Sequence, residues 1–212
     1  MYQNTTIPQS ASLTAPFTQG GLIIGITGGT GCGKTTLLNV IRDAGGLVLD
    51  CDAIYHELLL SDKAMLAAIE ARFPGTVESG SLNRKKLGAI VFADEQALLD
   101  LHGIPHGAVK KEVLRRLESG PKLAAIAAIG LFEGGLAELC DVTVAVTAPE
   151  EQRVRRLMAR DGISEEYARS RIAAQKPQDW FRTQCAVTLD NSTDFETFRG
   201  KCLDFLKSLG IM

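Results

Sequence analysis

The chain has 212 residues, 45% hydrophobic and 23% charged, with a formal net charge of −2. That length suits one domain of ordinary size with a sizeable core, and the near-neutral balance excludes a global field drawing the molecule onto nucleic acid or an acidic membrane. The five cysteines (Cys32, Cys51, Cys140, Cys185, Cys202) are scattered and form no CxxC pair, which excludes a disulfide framework or zinc site and points to reduced thiols in the cytoplasm.

Residues 1–20, MYQNTTIPQSASLTAPFTQG, are uncharged and polar with two prolines. They have neither the basic start nor the apolar stretch of a secretory signal, and are expected to form a flexible arm ahead of a single domain over 21–212. No apolar run reaches the ~18 residues needed to cross a bilayer. Five short apolar runs follow: Leu22–Thr27, Leu47–Asp50, Leu123–Ile129, Val142–Ala148 and Ala186–Asp190. Their near-continuous apolarity predicts parallel strands covered on both faces. Helical text lies between them, such as LLNVIRDAGG and EEQRVRRLMARDG, each closed by glycine. The alternation predicts an α/β three-layer sandwich around a five-stranded parallel sheet. From Ala53 to Pro121 no strand is evident, only amphipathic helical text such as DKAMLAAIEARF and HGAVKKEVLRRLE. That is far more than a crossover needs, so a helical insertion is expected over about 53–121. A second excursion, within 155–181, separates the fourth and fifth strands.

Residues 25–36 read GITGGTGCGKTT, which satisfies G-x-x-x-x-G-K-[ST] from Gly28 to Thr35, after a strand and at the start of a helix. Glycines let backbone amides turn inward around phosphate oxygens, and the helix N-terminus adds partial positive charge. Lys34 would bridge the outer phosphates and the Thr35 hydroxyl would ligate Mg²⁺. Binding of a nucleoside triphosphate follows, without yet saying what is done with it.

A GTPase would need N-K-x-D, which is absent; the D-x-x-G at Asp43–Gly46 closes the helix after the loop and cannot sense a γ-phosphate. An ATPase motor usually has an acid ending a later strand, whereas LAAIAAI ends without one and Glu133 is the nearest. The stretch LDCDAIYHELL instead sets Asp50 and Asp52 where a strand runs into a helix. Strand alternation would send both in one direction, and Asp52 is expected to open the helix as its N-cap. Beside a phosphate loop a carboxylate can take the proton of a substrate hydroxyl and aim its oxygen at the γ-phosphorus. The later excursion adds Arg153, Arg155, Arg156, Arg160, Arg169 and Arg171. Such guanidinium groups match phosphate oxygens and suit a lid that excludes water; Arg155 and Arg169 have the weakest claim. These features fit a kinase for a small-molecule hydroxyl. Two alternatives stand beside it: a nucleoside or nucleotide kinase, and a non-catalytic ATP-binding module.

From about Leu22 to the C-terminal helix the sequence resembles the dephospho-coenzyme A kinase family. The likeness rests on GITGGTGCGKTT, DCDAIYHEL, RKKLGAIVFAD (84–94), IPH (104–106), GLFEGGL (130–136), EEQRVRRLMARDGISEEYARSRIAAQ (150–175) and LDNST (189–193). It implies ATP, Mg²⁺ and phosphorylation of the 3′-hydroxyl of dephospho-CoA, with no protein partner, nucleic acid or membrane required. By that resemblance Asp52 is the catalytic base, and the phosphates are held around Gly29, Thr30, Gly31, Cys32, Gly33, Lys34, Thr35 and Thr36. Arg160 and Arg171 are lid arginines, and Asn191 lies near the adenine of ATP. The helical insertion is the CoA-binding region, with Arg84 and His106 as polar contacts. The sequence departs from the family pattern at His102, Gly107, Ala127, Ile129 and Thr193. Where Ala127 replaces an acid, Asp50 (through water to Mg²⁺) and Glu133 (toward the acceptor) are expected to share its work.

Overall fold

The computed structural model describes residues 21–91 and 94–211, with backbone only at 84, 95, 96, 98–100 and 102. The expected arm, 1–20, lies outside the described residues. Two compact units result: one runs to Val48 and resumes at Gly120, and the other is Leu49–Ser119. In chain order the elements begin with β1 (Leu22–Thr27), α1 (Lys34–Asp43) and β2 (Leu47–Asp50), at whose middle the boundary falls. The second unit holds α2 (Cys51–Ser61), α3 (Lys63–Arg72), β3 (Val77–Glu78), β4 (Ser81–Leu82), α4 (Arg84–Val91) and α5 (Glu95–Leu117). The first resumes with β5 (Leu123–Ala127), β6 (Val142–Thr147), α6 (Glu150–Asp161), α7 (Glu165–Ala173), α8 (Gln178–Gln184), β7 (Val187–Asp190) and α9 (Phe195–Ser208).

The five-stranded parallel sheet has the order β2-β5-β1-β6-β7 and is flanked by helices. β1 lies at its centre, with Ile24 opposite Ala125 on one side and Val142 on the other. The chain therefore leaves β1 where the strand order changes direction, the usual place for a ligand in such sheets. One face is covered by α1 and α9: Leu37, Leu38 and Ile41 meet Phe198, Cys202 and Leu206 over Ile24, Ile26, Val144 and Val146. This is the packing expected for apolar, β-branched strands covered by helices. β5 and β6 end two and one residues earlier than expected from their apolar runs.

In the second unit α5 packs against α2, α3 and α4. Leu59, Met65, Ile69, Phe73, Leu87 and Val91 form its core. This unit takes in the stretch expected as a helical insertion, but it is not wholly helical. β3 and β4 pair antiparallel, Val77 with Leu82 and Glu78 with Ser81. They are joined through Ser79 and Gly80 at φ 51° and 78°, the two-residue turn that suits a twisted hairpin. Glu70 seats the approach to it, accepting from the amides of Gly75 (2.6 Å) and Val77 (2.7 Å). α5 also continues through Pro105, giving up one helical hydrogen bond there. Among the described residues no helix is long and apolar enough to cross a membrane.

Candidate active site

The loop Gly28–Gly33 between β1 and α1 is held by its carbonyl groups. Lys34 Nζ donates to the carbonyls of Gly28 (2.7 Å) and Gly29 (3.4 Å). Arg153 Nε donates to Thr30 O at 2.9 Å. Arg156 Nη1 donates to Gly31 O (3.3 Å) and Cys32 O (3.4 Å), and Asn191 Nδ2 to Cys32 O (2.9 Å). Each carbonyl from Gly28 to Cys32 thus accepts from a side chain. In a trans peptide the N–H points opposite to the preceding C=O. Drawing the carbonyls of Thr30 and Cys32 onto Arg153 and Asn191 therefore turns the amides of Gly31 and Gly33 to the other side, where they can serve an anion. Gly33 caps α1 at φ 100° without a side chain, so the amides of Lys34 and Thr35 are left for a ligand rather than an internal cap.

Several braces come from elements remote in sequence. Arg153 on α6 is only 4% exposed, and that burial lowers its guanidinium from the ordinary value. Asn191, just past β7 and 5% exposed, accepts from Arg156 Nη2 at its Oδ1 (3.2 Å) and donates its amide to Thr147 O (2.8 Å). Its carboxamide is thus engaged on the loop rather than projecting past it. Gln175, two residues beyond α7, accepts the Thr30 amide at 2.8 Å. Thr35 is exposed at the second residue of α1, while the Thr36 amide closes a turn on Gly33 O at 3.1 Å.

The six clustered arginines divide by what they touch. Arg153 and Arg156 brace the loop. Arg169 lies among Glu150, Glu151 and Glu165, and Arg155 Nε donates to Glu151 O. Arg160 and Arg171 converge on one carboxylate: Arg160 forks onto Asp161 (2.6 and 2.9 Å) and Arg171 Nη1 reaches Asp161 Oδ2 at 2.6 Å. Arg160 and then Arg171 hold the Asp161 carboxyl well below the usual carboxylate range. The pair named from the sequence is therefore brought together by Asp161. That acid, and the bracing roles of Arg153, Arg156 and Gln175, went unseen in the sequence. The only sign there is their place within the long 150–175 motif.

At the start of the second unit the capping part expected of Asp52 belongs to Asp50. Asp50, not Asp52, is the N-cap of α2: its Oδ1 accepts from the amides of Asp52 (3.0 Å) and Ala53 (3.4 Å). β2 ends at Asp50, so Asp52 lies on the first helical turn, exposed, and strand alternation does not set its direction. Cys51 between them is buried, and burial, then the charges of Asp50 and Asp52, push its thiol up to about 12.

The remaining candidates are more dispersed. Glu133 is exposed on the turn after β5, beside Phe132, whose ring meets Trp180 edge-on at 5.8 Å. Ala127, which stands where an acid was expected from the family, is the buried last residue of β5. His106 is half-buried on α5 next to Pro105. Arg84 opens α4, and its side chain lies outside the description. Among the described residues no three His, Cys, Asp or Glu side chains gather as a metal cage.

A family model described as dephospho-CoA kinase matches residues 22–197. A curated dephospho-CoA kinase from Carboxydothermus hydrogenoformans is 34% identical over 191 residues, covering 87% of this chain and 93% of that protein. Another from Brucella melitensis is 33% identical over 192 residues, covering 89% and 95%. The crystal structure of TT1252 from Thermus thermophilus superposes with a TM-score of 0.75 at 33% identity, covering 90% of this chain and 99% of that one. At the level of fold alone, a dephospho-CoA kinase from Campylobacter jejuni is similar with a TM-score of 0.63 at 23% identity, covering 90% and 98%.

Proposed function

The chain belongs to the dephospho-CoA kinase family, and we propose that it transfers the γ-phosphoryl group of ATP to the 3′-hydroxyl of dephospho-CoA, giving coenzyme A and ADP. The observation that carries this reading is a complete phosphate loop, braced by side chains on its carbonyls from Gly28 to Cys32, inside a match to the family that spans residues 22–197.

In this reading the amides of Gly31, Gly33, Lys34 and Thr35 hold the polyphosphate together with the Lys34 ammonium, which leaves the Gly28 and Gly29 carbonyls to do so, with Gly29 and Thr30 shaping the loop before them. Asp52 takes the proton of the ribose 3′-hydroxyl as its oxygen bonds to the γ-phosphorus and the bond to the ADP oxygen breaks. Its place on the first turn of α2, exposed, supports that role, because a carboxylate already spent on capping would be a poorer base. Arg160 and Arg171 move from Asp161 to the transferring phosphoryl group and offset its charge. Glu133 is assigned to the acceptor, His106 and Arg84 to its CoA moiety, and Asn191 supports the nucleotide by fixing the loop.

Mg²⁺ would be carried on the nucleotide, with Thr35 as its protein ligand. The exposed Thr35 hydroxyl suits it, since Mg²⁺ on nucleotides keeps few protein ligands and takes the rest from phosphate and water. With Asp50 Oδ1 engaged in the cap, a water-mediated contact falls to the other oxygen. When bound, the ion neutralises charge on the outer phosphates. The scattered thiols support a reducing, cytoplasmic setting for the reaction.

The test is an acceptor panel with ATP and Mg²⁺, following ADP release and product mass for dephospho-CoA, adenosine, AMP and uridine against water. ADP release dependent on dephospho-CoA, with coenzyme A as product, is expected. Turnover of AMP or uridine in preference would transfer the protein to nucleotide kinases, and binding without turnover of any acceptor would make it an ATP-binding module. Asp52→Ala should lower turnover roughly 10²–10⁴-fold with ATP still bound.

A further inference from the structure

Thr30 is held at two successive peptide planes by one residue from each side of the α6–α7 pair. Its N–H, which belongs to the 29–30 peptide, donates to Gln175 Oε1 at 2.8 Å. Its C=O, in the 30–31 peptide, accepts from Arg153 Nε at 2.9 Å. With both planes tied, φ and ψ of Thr30 are fixed between them, and the direction of the Gly31 amide follows. The two holders also bind each other, Arg153 Nη2 donating to Gln175 Oε1 at 3.4 Å. Both partners of Gln175 Oε1 are N–H donors, so the carboxamide oxygen must face them and the amide nitrogen cannot. Space is tight as well: a Cβ on Gly29 would lie 2.3 Å from Arg153 Nη2 and 3.1 Å from Gln175 Oε1.

Resting on the kinase reading above, we propose that Gln175 is a positioning residue for the phosphate loop, setting its nucleotide-ready conformation from the foot of α7 without touching ATP. The helix pair beneath it is a rigid support, since Val154 and Leu157 of α6 pack on Ala168 and Ile172 of α7. Without the acceptor, the Thr30 amide loses its partner and the loop samples other conformations. Apparent affinity then falls by the fraction of time it is competent.

The test compares Gln175→Met, which keeps length and removes the acceptor, with Gln175→Glu, which keeps an acceptor for both donors. ADP binding is measured by calorimetry without any acceptor substrate, so the result stands whichever hydroxyl the enzyme phosphorylates. Gln175→Met should raise the ADP Kd and the KM for ATP about tenfold, with the KM for the acceptor unchanged, whereas Gln175→Glu stays within about threefold of wild type. ADP binding by Gln175→Met within twofold of wild type would overturn the proposal, as would equal losses in the two variants. Hydrogen exchange in the unmodified protein gives a check that needs no variant to fold: the Thr30 amide should exchange slowly, and rapid exchange removes the clamp.

Discussion

At Gly33 and Gly45 the same backbone demand meets two different surroundings, at φ 100° and 80°. Either position resists a side chain, because left-handed backbone costs an L-residue about 1–2 kcal/mol. A Cβ at Gly33 would also lie 2.2 Å from Asn191 Nδ2, whereas at Gly45 nothing lies within 4 Å. Gly33→Ala should therefore displace the carboxamide that draws the Cys32 carbonyl outward. We expect it to abolish the rise in melting temperature that ADP gives the wild type. Gly45→Ala should lower the melting temperature modestly and leave the ADP-dependent rise intact; equal ADP responses in the two variants would mean that Asn191 does not shape the loop. The arginines obey the same logic. Arg169, 38% exposed among three glutamates, is a surface network whose removal should leave the melting temperature little changed and turnover within twofold. Arg153, buried against Thr30, admits no such tolerance.

Elements decide how Asp50 and Asp52 divide their work. A helix beginning at Cys51 leaves its first amides unpaired, and Asp50 answers two of them from just outside. Asp50→Ala should cost about 1 kcal/mol in urea unfolding, and Asp50→Asn, still a good cap, much less. If both variants keep turnover once folded, water-mediated metal binding by Asp50 is excluded. The strand cores and the phosphate loop were legible because each is a local signal: apolar runs for β1, β2, β5, β6 and β7, and glycine spacing with a lysine for the loop. The helix start was misjudged by two residues, since an aspartate on either side of Cys51 offers the same capping chemistry and only the end of the ladder chooses between them. The hairpin β3–β4 was invisible for a different reason: two-residue strands have no period to detect. Arg153, Arg156, Gln175 and Asn191 act across more than 120 residues, and no spacing in one sequence declares which arginine in a cluster turns inward.

Over the whole molecule, each unit carries a buried thiol whose ionisation the fold resists. Cys202 in α9 is fully buried in the core of the first unit, and Cys51 opens α2 in the second. Burial is the main cause in both, and each thiol is pushed up to about 12 from 9.0. Below pH 9 both folded and unfolded chains keep these protons, and the stability is fully present. Between pH 9 and 12 the unfolded chain releases protons that the folded chain retains, so unfolding gains and stability falls as pH rises. Each thiol should account for about 1 kcal/mol lost between pH 8 and pH 10. Lysines and tyrosines also titrate there, but they are common to wild type and variants and cancel in a comparison of slopes. Urea unfolding at the two pH values should therefore show Cys202→Ala starting less stable, through its small cavity, yet losing about 1 kcal/mol less than wild type on the way to pH 10. Cys51→Ala should show a reduction of the same size, because both folded thiols titrate near 12 and the loss up to pH 10 is set by the unfolded thiol alone. A wild-type slope in both variants would mean that these thiols ionise as freely in the folded chain as in the unfolded one, and that the packing around them yields to solvent.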